Sequence, residues 1–513
     1  CVCVPVAILA QAFKVLEPRI EHRITPYQCL DNLRVASRRL RFGVFSFPTM
    51  SDESLRPSCP VRWTILALTC GGLFGQFYAF DIPSALNEQM RRSLTVSTGV
   101  DNEEYVYLFN LLYSVYSIPN IFLPLLLGIG IDRWGYRILI VVLGVCVFLG
   151  QLLFTFGVAE ASWSIMLAGR VLFGLGGESL QVAQGCLLFR WFKGHEVAFA
   201  FGLNLSVARC GSVLNDIMSP WVVQRWGVVN TVALGGVLCL ASLACNVCCV
   251  FLDKYEGERA NVPEAKGDES FSPRDLMRLP KLYWLCVLMC VSVYCGILPF
   301  NNIASTFFIQ TRYSQLPLAE AQRLAGSAMS LLFLSSAIGT PPFGILVDKV
   351  GMRRHFLLFS AILLSLTYMM MFSINPVASM LMLGIVYMVF AGALWPTFAL
   401  TVPQRLLGTA YGLATSFQNA GLAIVPMMVG HLQATGGKGN FRPVIQLLAC
   451  FGFIGTATCS AILYGGFPGG EILDLPSVDA ARRHKLSEFT PLQSSEPPEA
   501  VAGKGLVKRN IGA

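Results

Sequence analysis

Gly128-Ile-Gly-Ile-Asp132-Arg133-Trp-Gly135-Tyr-Arg137 returns, 216 positions later, as Gly344-Ile-Leu-Val-Asp348-Lys349-Val-Gly351-Met-Arg353. Each copy closes a long apolar run. A loop with fixed glycine, acid and base positions, recurring once per half, describes a chain built from two similar units. Parallel repeats of this kind are how secondary carriers assemble a central site between two membrane bundles.

The composition agrees. With 54% hydrophobic and only 13% charged residues over 513 positions, and a mean hydropathy of +0.59, an ordinary soluble domain is excluded. Runs long enough for a ~30 Å hydrocarbon core lie near 63–82, 105–131, 138–157, 164–189, 197–221 and 228–252. A second set follows near 282–304, 323–347, 355–374, 376–402, 406–430 and 443–467. The expected fold is an all-α membrane protein of twelve transmembrane helices in two six-helix bundles, 61–252 and 282–467, with tails 1–60 and 468–513 and a linker 253–281.

An even number of crossings puts both tails on one side. Arg38, Arg39, Arg41 and Arg62, the loops carrying Arg133, Arg137, Arg190, Lys193, Lys349, Arg353 and Arg354, and Arg405 all fall on one face. The positive-inside bias makes that face cytosolic. The other face has a mixed loop from Asp81 to Glu104 and links with few Lys or Arg. The net charge of +8 is accounted for by these loops and needs no nucleic acid. The mixed-charge linker reads as a solvated connector.

Most of the seventeen cysteines fall inside the spans, where they act as small apolar packers rather than a disulfide framework. Residues 1–60 hold too many charges and prolines for a signal peptide, and the chain opens on Cys1, so an earlier start is expected.

The spans hold few charges, and those away from helix ends gather in the fourth and fifth: Arg170 and Glu178, then Arg209 and Asp216. At 1.5 Å per residue, Glu178 and Arg209 both lie roughly 18–20 Å deep, near the midplane. Each such charge costs ~2.5–3.5 kcal/mol to bury, so the two should face each other or a wet cavity. A bridge that only fixed packing could be replaced by apolar residues at little cost. A zwitterionic solute, by contrast, needs one fixed cation and one fixed anion at this depth: the Arg209 fork suits a carboxylate, and Glu178 suits an ammonium. Arg170 serves packing, gating or substrate contact equally well, and Asp216, seven residues from Arg209 on one face, is suited to pair with it in one state. Of the uncharged polar residues at membrane depth, Trp395, Gln418 and Asn419 are placed on the cavity, while Asn301 and Asn302 suit interhelical hydrogen bonding. Gly174, Gly176 and Gly177 beside Glu178 allow close backbone approach.

The duplicated loop resembles the signature of the major facilitator superfamily. That resemblance implies that Asp132 caps a helix of the opposite half when the cytosolic gate is shut. Arg133, Arg137, Asp348 and Arg353 of the two loop copies are assigned to gating with it, and Arg170 and Asp216 divide evenly between structure and gating. A longer likeness runs through Gly169-Arg-Val-Leu-Phe-Gly-Leu-Gly-Gly-Glu178-Ser-Leu-Gln-Val-Ala-Gln184, Trp191-Phe-Lys-Gly194 and Phe201-Gly-Leu-Asn-Leu-Ser-Val-Ala-Arg209-Cys-Gly-Ser212. It continues in Ala393-Leu-Trp-Pro396, Val402-Pro403, Leu407-Gly-Thr-Ala-Tyr-Gly412 and Gln418-Asn419-Ala-Gly-Leu-Ala-Ile424. These stretches are similar to the lysosomal dipeptide transporters of that superfamily. What they imply is uniport-like movement of dipeptides out of lysosomes, with Glu178 and Arg209 holding the two peptide ends and no cofactor. The implied surroundings are a lipid bilayer and a glycosylated accessory membrane protein, since the one sequon, Asn204-Leu-Ser206, is buried in a span. No acidic dileucine signal occurs, and Glu488-Phe-Thr-Pro-Leu492-Gln493 just misses one. Tyr27-Gln-Cys-Leu30 fits a tyrosine-based signal, and lysosome, other endomembrane and plasma membrane all stay open.

Two other functions compete. One keeps the fold but carries amino acids or organic anions, with Glu178 moving a proton; a carboxylate bridged to Arg209 fits uniport better. The other is a non-transporting sensor or scaffold, for which the polar tails offer no folded domain. An enzyme is disfavoured, because the five histidines are scattered and no cluster has ligand spacing.

Overall fold

The computed structural model describes residues 59–192, 195–259, 279–402, 407–437, 439–476 and 479–480. Within these, the side chains of 59–60, 98, 125, 128–133, 189, 195–198, 257–259 and 407–409 are outside the description. Both tail signals, Tyr27 to Leu30 and Glu488 to Gln493, lie outside it too.

Backbone groups inside a bilayer must bond within their own segment, and the apolar runs accordingly fold as helices. The first half contains α1 (Cys59–Ala85), a short α2 (Asn87–Thr98), α3 (Asn102–Ser117), α4 (Pro119–Trp134), α5 (Tyr136–Ala159) and α6 (Trp163–Trp191). The stretch His195–Arg259 is divided at Gly227, whose φ of 76° and ψ of 175° break the helix, into α7 (195–226) and α8 (228–259). The second half contains α9 (Lys281–Thr311), α10 (Leu318–Val350), α11 (Arg353–Met370), α12 (Pro376–Thr401), α13 (Leu407–Gly436) and α14 (Arg442–Tyr464), then a 3-10 turn, Gly470–Asp474. Local chemistry sets the ends. The Asp101 carboxylate accepts from the Glu104 amide at 2.8 Å to start α3, and Asn375 caps α12 ahead of Pro376.

Ten stretches are long and apolar enough to cross a membrane, and one of them, Phe199–Glu256, holds both α7 and α8. The remaining crossing is α11, which opens on Arg353, Arg354 and His355 and so falls below that composition. With α3 and α4 as one crossing interrupted before Pro119, the described residues make twelve crossings, as many as the apolar runs predict. Phe122, Val237, Phe251, Ile338 and Met369 are exposed, as side chains facing lipid should be.

In the first half, α1 packs along the α7–α8 stretch and α5 along α6; in the second, α10 packs on α12 and α11 on α14. The halves join where α3 meets α13, α10 meets α7 and α1 meets α9. The α7–α10 contact is backbone to backbone: a Cβ on Gly326 would lie 2.2 Å from the Asp216 carbonyl oxygen. The end of the bundle where α1 begins is called here the tail end, and the opposite one the far end.

Two stretches differ from the sequence reading. The mixed loop from Asp81 to Glu104 is mostly helical: α1 runs on to Ala85 with Asp81 buried, and α2 is fastened by Arg91 and Arg92 bonding to Glu88. Likewise α8 continues to Arg259, with Asp253 wholly buried.

Candidate functional site

Arg209 sits at mid-depth on α7 and is buried. Its Nη1 donates across the seam to Ser336 Oγ (2.5 Å) and Thr340 Oγ1 (3.2 Å) of α10. The guanidinium carbon stands 4.5 Å from the centre of the Tyr387 ring on α12. Nε is buried and has no acceptor among the described residues. One edge of the fork is therefore used by the protein, and another donor is left over.

An aromatic wall continues from Tyr387. Tyr294 of α9 meets it edge to face at 5.8 Å, and the Trp395 indole N–H donates to the Tyr294 hydroxyl at 2.9 Å. Trp395 stacks on Tyr411 (5.9 Å, 26°), whose hydroxyl donates to the Trp395 carbonyl. Trp395 thus connects to Arg209 through Tyr294 and Tyr387, two residues the sequence reading missed. Nothing in the sequence separates these tyrosines from others in the spans. Gln418 is buried inside the second half, where its Oε1 accepts from Cys290 Sγ at 3.8 Å. Asn419 donates to the Thr415 carbonyl of its own helix and keeps a buried, unpartnered Oδ1.

Glu178 is half-buried and has no hydrogen-bond or ion-pair partner among the described residues. A Glu178–Arg209 bridge, the packing alternative, is not formed, because Arg209 turns to α10 while Glu178 lies on the α6 segment packed against α3. There a Cβ on Gly177 would sit 2.3 Å from the Tyr116 hydroxyl, the close approach expected of these glycines. Asp216 does not pair with Arg209 either. Its Oδ1 accepts from Asn215 at 3.4 Å, and it interacts electrostatically with Asp81 of α1. Arg170 is fully buried: its Nη2 donates to the Phe80 carbonyl at 3.3 Å, and the rings of Phe154, Phe173, Tyr113 and Phe80 surround its guanidinium. Asp81 escaped the sequence reading because it stood at the end of the first apolar run, where it was counted as the start of the mixed loop.

At the tail end, Arg137 Nε donates to Asp253 Oδ2 at 2.6 Å. The same carboxylate accepts from the Tyr136 hydroxyl (2.8 Å), from Arg190 (3.3 Å) and, on Oδ1, from the Trp191 indole (2.6 Å). This knot lies entirely within the first half. In the second half Arg353 pairs with the exposed Asp348 at 3.6 Å and donates to the Leu475 carbonyl at 2.9 Å. Asp474 bonds Arg354 and lies 3.7 Å from His355. Burial raises the Asp474 carboxyl, but the hydrogen bonds from His355 and Arg354, with their charges, outweigh it and hold the group below its ordinary 3.8. Asp132 and Arg133 end α4, and their side chains lie outside the described residues.

The halves are bridged at the far end. Asn301 Nδ2 donates to Asp81 Oδ1 (3.4 Å), Asn110 Nδ2 to Gln433 Oε1 (3.3 Å), and Gln224 Nε2 to the Ala319 carbonyl (3.3 Å). A cavity of about 280 Å³ at this end is lined by Asn87, Arg91, Asn110, Thr306, Gln310 and Gln433 among others.

The Major Facilitator Superfamily model matches residues 64–322 and 300–497. The chain is 33% identical over 426 residues to the lysosomal dipeptide transporter MFSD1 of Mus musculus, covering 80% of this chain and 88% of that protein. It is 35% identical over 440 residues to the Danio rerio protein of the same name (83% and 91%) and 34% identical over 403 residues to that of Homo sapiens (76% and 83%). Among solved structures, a mutant form of the nucleoside transporter NupG superposes with a TM-score of 0.59 at 15% identity, over 77% of this chain and 99% of that one, which is a likeness of fold. Since the family model covers both repeats and the relatives span most of the chain, this protein belongs to the Major Facilitator Superfamily and is a multi-pass membrane transporter.

Proposed function

We propose that the protein carries dipeptides, or zwitterions of that size, out of a lysosome-like compartment by uniport-type alternating access, with both tails in the cytosol. The observation that carries this reading is Arg209, a buried mid-depth cation with an unused donor edge, seated against an aromatic wall from the opposite half. A peptide carboxylate completes that edge, and Glu178, without a partner among the described residues, receives the ammonium. Tyr294, Tyr387 and Trp395 form the shelf for the cargo's side chains. The relatives' name supports the substrate class. A glycosylated companion protein would shield a chain whose one sequon is buried.

The same lack of a partner at Glu178 favours a second reading, a proton-carrying exporter of amino acids or organic anions. Counterflow of labelled dipeptides, amino acids and sugars in proteoliposomes separates the two. An acetylated peptide should compete at least about tenfold less well than the free one, equivalent to about 1.4 kcal/mol. Equal competition removes Glu178 from the role. Glu178→Ala and Arg209→Ala should each abolish transport in a folded, membrane-resident protein. If both lost membrane expression, their role would be packing.

A further inference from the structure

Asp81, Asp216 and Arg170 are buried together at the far end, and their charges do not cancel. The two aspartates, on α1 and α7, are 1% and 0% exposed and interact electrostatically with each other. Among the described residues, the cation acting on Asp81 is Arg170 of α6, itself 1% exposed. The other groups facing the pair bring no positive charge: the Tyr113 and Tyr116 phenols of α3, Ser212 and Asn215 of α7, Cys239 of α8 beside Arg170, and Asn301 of α9. Glu178, which interacts electrostatically with Tyr116, brings no positive charge either. On α10, the segment touching Asp216 is Gly326, while Arg323 lies over the Trp221 ring at 5.0 Å and Glu320 is exposed.

Two acceptor atoms in the cluster also lack a donor. Asp216 Oδ2 and Asn301 Oδ1 are buried and have no partner among the described residues, although the Asn301 amide nitrogen already bonds Asp81. An orphaned buried acceptor is costly, and two like charges in one dry site are costlier. One hydrogen on the carboxylate pair removes a negative charge and turns an orphaned acceptor into a donor.

We propose that Asp81 and Asp216 form a single proton-binding site, filled when the halves close at the far end and emptied when they part there. The site straddles the seam: Asn301 reaches Asp81 from the second half, and α10 touches the Asp216 backbone. Closure takes one proton from far-side water and opening returns it to the same water, so no proton crosses the membrane. This rests on the alternating-access reading above, but not on the identity of the cargo.

The test labels Thr306→Cys, a buried α9 position beside the far-end cavity, with an impermeant thiol reagent from the far side, without cargo. Rates are divided by those of Val96→Cys, 84% exposed, to remove the reagent's own pH dependence. Labelling should slow on acidification, by up to about tenfold per pH unit for a one-proton linkage. In Asp216→Asn, and independently in Asp81→Asn, it should be slow and flat with pH. Either variant keeping the full pH slope overturns the site, as does a flat wild-type profile with counterflow intact. Labelling that responds to exchange of sodium for choline at fixed pH overturns it in favour of a metal cation. No labelling at any pH would overturn the alternating-access reading together with the site.

Discussion

Arg209→Lys isolates the forked geometry of Arg209 from its charge. In the native protein one nitrogen, Nη1, serves both Ser336 and Thr340, and Nε has no acceptor. A guanidinium can keep those two bonds and still offer a cargo carboxylate a second edge. A lysine ammonium brings its three donors to one point and must divide them between α10 and the cargo. The expected loss is one charge-assisted hydrogen bond, about 1.5–3 kcal/mol, or roughly tenfold to a hundred-and-fifty-fold in Kd. The cation over Tyr387 is retained in part, so the fold should survive. Equilibrium binding by ligand-induced thermal stabilisation reads the affinity, and dipeptide counterflow reads transport. A peptide amidated at its carboxyl end should bind the lysine variant and the wild type about equally. A lysine variant within threefold of the wild type for free dipeptide would refute the two-edge reasoning, and so would unimpaired binding of the amide by the wild type.

Asp132→Asn should lower turnover with little change in cargo affinity, moving the conformational balance by at most roughly thirtyfold, since a helix-end interaction is worth about 0.3–2 kcal/mol. Asp348→Asn should be milder, because Asp348 is exposed beside Arg353; a more damaging Asp348→Asn, seen in paired counterflow assays, would reverse the assignment. Asp253→Ala leaves Arg137 and Arg190 without their shared buried acceptor and should cost about 3–5 kcal/mol, visible as a large fall in Tm. The Asp474 carboxyl is held below its ordinary 3.8, so its stabilisation is complete above that value and lost as pH falls through the lowered one. The Tm difference between wild type and Asp474→Asn should therefore be constant from about pH 6 to 5 and shrink only below about pH 4; a difference already shrinking near pH 5 would exclude this assignment.

The fold was legible because bilayer burial leaves an unmistakable mark: twelve apolar runs and one loop printed twice. Arg209 was legible for the same reason, as a charge where charges are expensive. Its partners were not. Depth along a helix follows from counting residues, whereas the direction of a side chain depends on helix rotation, and that is set by contacts such as Gly326 on Asp216 and Gly177 on Tyr116. Glu178 and Arg209 share a depth and still face different neighbours. Tyr294 and Tyr387 carry no charge to mark them. Asp81 and Asp253 were taken for loop residues because an acid near an apolar boundary ordinarily is one; here each lies on a helix that runs further than the apolar pattern does.

The carboxylates that end each half also define what moves. Asp253 fastens the last helix of the first half to residues at the start of α5 and the end of α6, and Asp474 fastens the segment after α14 to the start of α11. Each half is thus pinned to itself at the tail end, far from the seam carrying Arg209. A carrier made this way should behave as two stiff jaws that yield along the line where they touch. Substitutions inside a jaw should change how much protein survives, and substitutions along the seam how fast it works.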